Sequence, residues 1–250
     1  PAWWTEEIGK MRVVIPEDEK KALTHYAYHI KAGKEIFAAE GAFGQYLICF
    51  RDYPVAIGIT AGASEYLAAD ICLKYIKEAV QIPCEKENLE EAQEKLEEKL
   101  VHLTLPKPEG DKKDTNEATK KLLNKRIAFT ENPRQIESAV ISTVGEELKL
   151  ELTVAGEKKI LFAGYKDWKC NDMYPNDFTK RYHAVSYAFD EDALYLSVGL
   201  LNTSYREEYC LWVNSENVVV GTWRPNVTYL PAEEDMTWKF TGTFEPSCIL

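Results

Sequence analysis

The feature that most constrains the fold is a series of short segments after residue 126 in which apolar and polar residues alternate. Residues 148–154 read LKLELTV, and residues 193–200 alternate in the same way. A period of two is typical of a β-strand with one buried face. Further strand patterns, separated by Asn, Asp, Gly and Pro, cover residues 160–163, 209–213, 218–222 and 237–244. The pattern predicts an antiparallel β-barrel or β-sandwich from residue 126 to 250.

The first part of the chain, residues 1–82, has a different character. Residues 23–30, 44–51 and 55–60 are rich in Tyr, Ile, Leu and Phe and are predicted strands. Asp52-Tyr53-Pro54 suits a tight turn, so the second and third of these strands form a predicted antiparallel pair, apolar enough to be buried on both faces. A helix is expected over residues 64–79, because apolar residues recur there every four positions.

Residues 83–125 separate these two parts. Residues 88–101 carry a thin leucine stripe among Glu and Lys, which predicts a charged helix. Residues 106–114 (PKPEGDKKD) have the composition of a linker. The predicted organisation is therefore α+β: residues 1–82, a helix and linker over 83–125, and a β-domain over 126–250.

Charge and composition exclude several classes of partner. Thirty Lys and Arg residues against 41 Asp and Glu residues give a net charge of −11, so nucleic-acid and anionic-membrane partners are not expected. The six cysteines are scattered without a CxxC pair, which favours a reducing compartment and hence the cytoplasm. The chain opens Pro1-Ala2-Trp3-Trp4 rather than with Met, and we expect it to be part of a longer protein.

Residues with catalytic or metal-binding chemistry are sparse in the sequence. No serine is followed by Lys three positions later, and no Gly-x-Ser-x-Gly motif occurs, although serine nucleophiles of these types need such neighbours. The four histidines, His25, His29, His102 and His183, do not form a zinc-ligand pattern. The residues predict no catalytic side chain, no metal and no cofactor.

One run nevertheless resembles a known family. Residues 40–50 read EGAFGQYLICF and residues 53–60 read YPVAIGIT, followed by the predicted helix. This run is similar to the carboxy-terminal part of the β-lactamase-related and penicillin-binding serine hydrolases, including class C β-lactamases. The resemblance implies that these strands belong to a β-lactamase-like sheet and that the β-rich part is an accessory domain. It further implies that Glu40 and Gly41 line the substrate cleft. Tyr26 and Tyr28 would either lie close behind the cleft or pack in the core.

The sequence departs from this family at the third active-site box. Where the family has Lys-Thr-Gly, this chain has Ile36-Phe37-Ala38, and the family's Ser-x-x-Lys motif would lie upstream of residue 1. The first hypothesis is therefore the inactive carboxy-terminal half of a serine hydrolase. The parent would transfer acyl groups from a small-molecule or peptide ester, amide or lactam.

Two alternatives remain open. The β-domain could make the chain a non-catalytic ligand-binding or scaffold protein, with a closed barrel and an apolar cavity favouring binding. A partner chain, either the missing amino-terminal half or a second copy, could also complete the first domain. Aromatic residues of the β-domain that could line a pocket, or pack its core, are Trp168, Tyr174, Tyr182, Trp212, Trp223 and Trp238.

Overall fold

The structure is a computed structural model that describes residues 25–27, 30–32, 35–63, 74–80, 89–111, 120–171, 182–201, 203–228 and 236–246. The chain divides into two units, Pro1–Thr104 and Leu105–Leu250. Strands dominate both units, so the described chain is mostly β.

The first unit contains a five-stranded antiparallel sheet in which every strand pairs with the next along the chain. In the described part of this unit, two helices follow the sheet: α1, residues 74–80, and α2, Leu89–Val101. The strands are β1 His25–Ala27, β2 Ile30–Ala32, β3 Ile36–Gly41, β4 Gln45–Phe50 and β5 Ala56–Ile59.

Two expectations for this sheet were wrong. Residues 23–30 do not form one strand, because Ala27 pairs with Ile30 and the chain reverses between β1 and β2. The β4–β5 pair forms as predicted, but it is not buried on both faces. Ile48 is 1% exposed, whereas its neighbour Leu47 is 55% exposed, so β4 presents one apolar face inward and one outward.

The helices agree with the sequence pattern where they are described. Residues 74–79 of the predicted first helix lie in α1, and residues 64–73 lie outside the described residues. Ile76 packs against a core formed by Ile36, Ile48 and their neighbours, so α1 covers the buried face of the sheet. The predicted charged helix is α2, in which Lys95 and Glu91 form an ion pair at 2.5 Å, one turn apart.

The described residues of the second unit form ten strands. They are β6 Arg126–Phe129, β7 Ile136–Val144, β8 Glu147–Val154, β9 Glu157–Tyr165, β10 Lys169–Asn171, β11 His183–Asp190, β12 Ala193–Leu200, β13 Arg206–Val213, β14 Val219–Pro225 and β15 Trp238–Phe244.

These strands close into a nine-stranded barrel, which decides between the predicted barrel and sandwich. Strands β6 to β9 and β11 to β15 each form an antiparallel meander, and β15 pairs with β6 to join them. The ring closes where β9 runs parallel to β11, with Gly164 opposite Ser186. The short β10 continues along the same edge of β11, with Asn171 opposite His183.

The side chain of Asn171 holds this closure together. Its Nδ2 donates to the carbonyl oxygens of Phe162 (3.0 Å), Lys169 (3.0 Å) and His183 (3.3 Å). Its Oδ1 accepts a hydrogen bond of 2.6 Å from the Phe162 amide. One buried amide therefore connects three strands at the seam of the barrel.

The predicted linker is seated on the barrel over part of its length. The Phe189 amide donates to the Asp111 carbonyl at 2.8 Å, and the Tyr165 hydroxyl donates to the Gly110 carbonyl at 3.1 Å. Gly110 has a φ of 134°, and a Cβ atom there would overlap the backbone of Phe189. Glycine is therefore required at this position for the segment to lie against β11.

Candidate ligand cavity

The interior of the barrel contains a cavity of about 110 Å³. Seventeen residues line it, and most are aliphatic or phenylalanine side chains. These apolar members are Phe129, Ile136, Ala139, Ile141, Leu150, Leu152, Val154, Leu161, Leu196, Val198, Leu211 and Phe240.

A β-bulge helps to shape one wall of the cavity. Ile136 and Ala139 are three residues apart, so a regular strand would place them on opposite faces. The register between β7 and β8 shifts after Ile136, because Ile136 pairs with Val154 while Ser138 pairs with Thr153. Glu137 is thus an additional residue in β7 that has no partner in β8. Because of this bulge, both Ile136 and Ala139 line the cavity.

Three polar side chains of the lining form a connected cluster, Arg134–Glu207–Tyr209. Arg134 precedes β7, whereas Glu207 and Tyr209 lie two residues apart on the inward face of β13. Arg134 Nε lies 3.2 Å from Glu207 Oε1, and the Tyr209 hydroxyl donates to Glu207 Oε2 at 2.6 Å. Both carboxylate oxygens of Glu207 therefore have a partner.

Exposure places this cluster at the opening of the cavity. The side chain of Glu207 is 8% exposed, whereas that of Arg134 is 42% exposed. The Arg134 guanidinium also lies over the ring of Trp223, with Cζ 6.0 Å from the ring centroid. Arg134 therefore reaches from the solvent side toward a carboxylate that has lost most of its contact with water. Two further polar residues, Lys159 and His183, complete the lining.

The electrostatics of the cluster favour a charged arginine and a neutral tyrosine. Burial and the negative charge of Glu207 raise the pKa of Tyr209 well above its usual value of 10.0, with Arg134 acting in the opposite direction. Burial alone would lower the pKa of Arg134, but Glu207 and Tyr209 outweigh it and the pKa is raised. At neutral pH the Tyr209 hydroxyl can therefore donate to Glu207, and Arg134 keeps its positive charge.

The aromatic residues considered for a pocket lie elsewhere wherever they are described. Trp223 and Trp238 are 5% and 8% exposed and pack against each other with ring centroids 4.8 Å apart. None of Trp168, Tyr182 and Trp212 lines the cavity, and Tyr174 lies outside the described residues. For Trp223 and Trp238, packing in the core is thus the correct alternative.

The residues assigned by the hydrolase resemblance lie in the first unit. Glu40 and Gly41 end β3, where Gly41 pairs with Gln45 and Glu40 Oε1 accepts a hydrogen bond of 3.3 Å from the Tyr46 hydroxyl. Tyr26 lies in β1 opposite Lys31, and Tyr28 lies outside the described residues. Their role in a substrate cleft stays a prediction.

Among the described residues, no group of three or more His, Cys, Asp and Glu side chains could hold a metal ion. No helix in the described ranges is sufficiently long and apolar to cross a membrane.

Comparison with known proteins gives little further information. No family model matches the chain, and no curated protein matches it. Among solved structures, human cRBP IV matches over 43% of this chain and 72% of its own, with 12% sequence identity and a TM-score of 0.30. None of these comparisons indicates a β-lactamase-like origin. The barrel is established by the strand pairing of the chain itself.

Proposed function

We propose that the second unit binds a small, mainly apolar molecule inside its barrel. The observation that carries this proposal is the cavity of about 110 Å³ with a largely aliphatic wall and charged groups at its opening. Ligand sites typically combine an apolar lining with a few polar groups that orient the ligand.

The size of the cavity limits the ligand. A protein cavity of about 150 Å³ lined by Leu, Ile and Phe stays dry and binds benzene or xenon. The present cavity is somewhat smaller, and twelve of its seventeen lining residues are aliphatic or phenylalanine. It suits a molecule of about six non-hydrogen atoms, for which the removal of apolar surface from water supplies the binding free energy.

The test is an NMR titration of the full chain with benzene, following amide chemical shifts. The substitution Ala139→Leu places three additional carbons in the cavity and should abolish binding. Ala128→Leu is the matched control, because Ala128 lies on β6 between the inward-facing Ile127 and Phe129 and is absent from the lining. This variant should bind benzene like the unmodified chain.

Two results would count against the proposal. Benzene could fail to shift any amide of the cavity wall, or Ala139→Leu could bind it as tightly as the Ala128→Leu control. Either result would mean that benzene does not occupy the space beside Ala139.

The hydrolase hypothesis is a second candidate, and it concerns the first unit. It is supported by the resemblance of residues 40–60 and by the succession of β3, β4, β5 and a helix that packs on the sheet. Incubation with an activated ester and a fluorescent penicillin, read by intact mass, tests it. Labelling of a longer parent chain but not of these 250 residues is expected. Labelling of neither protein would remove this candidate.

A further inference from the structure

The Arg134–Glu207–Tyr209 cluster limits which polar group a ligand can bring to the cavity opening. Arg134 pairs with Glu207, and its positive charge is already matched at 3.2 Å by that carboxylate. Glu207 is nine-tenths buried, so water screens its charge poorly. A second anion bound to Arg134 would lie close to this carboxylate and be repelled by it.

Arg134 can nevertheless donate to a neutral group. A guanidinium carries five N–H donors in a planar fork. The contacts within the cluster are the pairing of Nε with Glu207 and a hydrogen bond with Tyr209, and these use part of the fork. The remaining donors can bind an acceptor on a ligand, and a hydrogen bond from a charged donor is stronger than one between neutral groups.

We propose that the ligand of the barrel carries a neutral hydrogen-bond acceptor, a hydroxyl or a carbonyl, on an apolar body of about five carbons. The acceptor binds Arg134, and the apolar body occupies the space beside Ala139 and Leu150. This inference rests on the proposed ligand-binding function and specifies the class of ligand.

A carboxylate is the competing class, because Lys159 and His183 also line the cavity. The neutral acceptor is favoured because the carboxylate of Glu207 lies at the opening, in direct contact with Arg134. The hydroxyl of Tyr209 is directed to Glu207 and does not offset the repulsion.

Four ligands of similar size test this preference: 1-pentanol, 2-pentanone, pentanoate and benzene, each titrated into the full chain at pH 7 and followed by NMR. The alcohol and the ketone should bind at least tenfold more tightly than pentanoate. Pentanoate binding as tightly as 1-pentanol would overturn the inference while leaving the proposed function intact. Failure of all four ligands, benzene included, would instead overturn the proposed function.

Two variants test the cause of the preference. Glu207→Gln removes the buried negative charge at nearly constant volume, and it should improve pentanoate binding about tenfold. Glu208→Gln is the control, because Glu208 lies on the opposite face of β13 and pairs with Arg206 at 3.1 Å. Glu208→Gln should leave the ratio of the 1-pentanol affinity to the pentanoate affinity unchanged. If a folded Glu207→Gln variant bound pentanoate no more tightly than the unmodified chain does, Glu207 would not be the cause of the preference. If that variant does not fold, the comparison of the four ligands on the unmodified chain tests the preference by itself.

Discussion

Filling the cavity should stabilise the protein, in contrast to most additions of volume to a protein core. Ala139 is 4% exposed and lines the cavity, whereas Ala163 is fully buried in the barrel core and does not line it. The same change to leucine therefore adds three carbons to empty space at one site and to packed atoms at the other.

The expected magnitudes differ in sign. Three additional buried carbons at position 139 contribute about 2.4 kcal/mol, at about 0.8 kcal/mol each. Ordering the leucine side chain costs about 0.5–1 kcal/mol, so Ala139→Leu should raise the free energy of unfolding by about 1.5 kcal/mol. Ala163→Leu should lower it by about 1–3 kcal/mol, because overpacking forces neighbouring side chains out of their preferred rotamers.

Urea unfolding of the full chain, followed by tryptophan fluorescence, measures both changes. Four of the six tryptophans belong to the second unit, and Trp223 and Trp238 are buried there, so the emission reports mainly the unfolding of this unit. If Ala139→Leu were as destabilising as Ala163→Leu, the space beside Ala139 would not be empty, and the argument for the cavity would fail.

Three further predictions concern other parts of the barrel. Gly110→Ala should cost about 1–3 kcal/mol in urea unfolding, because the new Cβ would displace the segment from Phe189. Asn171→Ala should cost about 2–3 kcal/mol in the same assay, because it leaves buried backbone groups at the seam without a partner. The raised pKa of Tyr209 means that the folded state keeps its phenolic proton more strongly than the unfolded state. The protonated Tyr209 therefore makes its full contribution to the free energy of unfolding below about pH 10, and this contribution is lost as the pH rises above that value. Tyr209→Phe should remove this part of the alkaline loss, measured by urea unfolding between pH 9 and pH 11.

Alternation predicts most directly the strands in which one face is polar. The alternation over residues 148–154 predicted β8, where Leu148 and Leu150 are buried and Glu151 is exposed. Residues 193–200 were also predicted as a strand, but the expectation of a single buried face was wrong there, because every residue of β12 except Tyr195 is buried. Strand β11 gave no such pattern, because its six residues from Ala184 to Phe189 are all buried. The difference between a barrel and a sandwich also lay beyond the local pattern, because it depends on the parallel pairing of β9 with β11.

The candidate site was only partly accessible from sequence. Extending the period of two backward from Val213 and Leu211 places Tyr209 and Glu207 on the buried face of β13. A glutamate at a position that the alternation assigns to the buried face was a usable signal for a buried polar site. Arg134 carried no comparable signal, because it lies in the connection before β7 and reaches Glu207 through the tertiary fold.

The most direct test of the account is a crystal structure of the protein pressurised with xenon. Xenon binds empty apolar cavities of this kind, and its electron-dense atom would be located without a model of the ligand. The account predicts a xenon site inside the barrel, bounded by Ala139, Leu150 and Leu196, that is absent from the Ala139→Leu variant. A barrel interior without xenon in the unmodified chain would contradict the account.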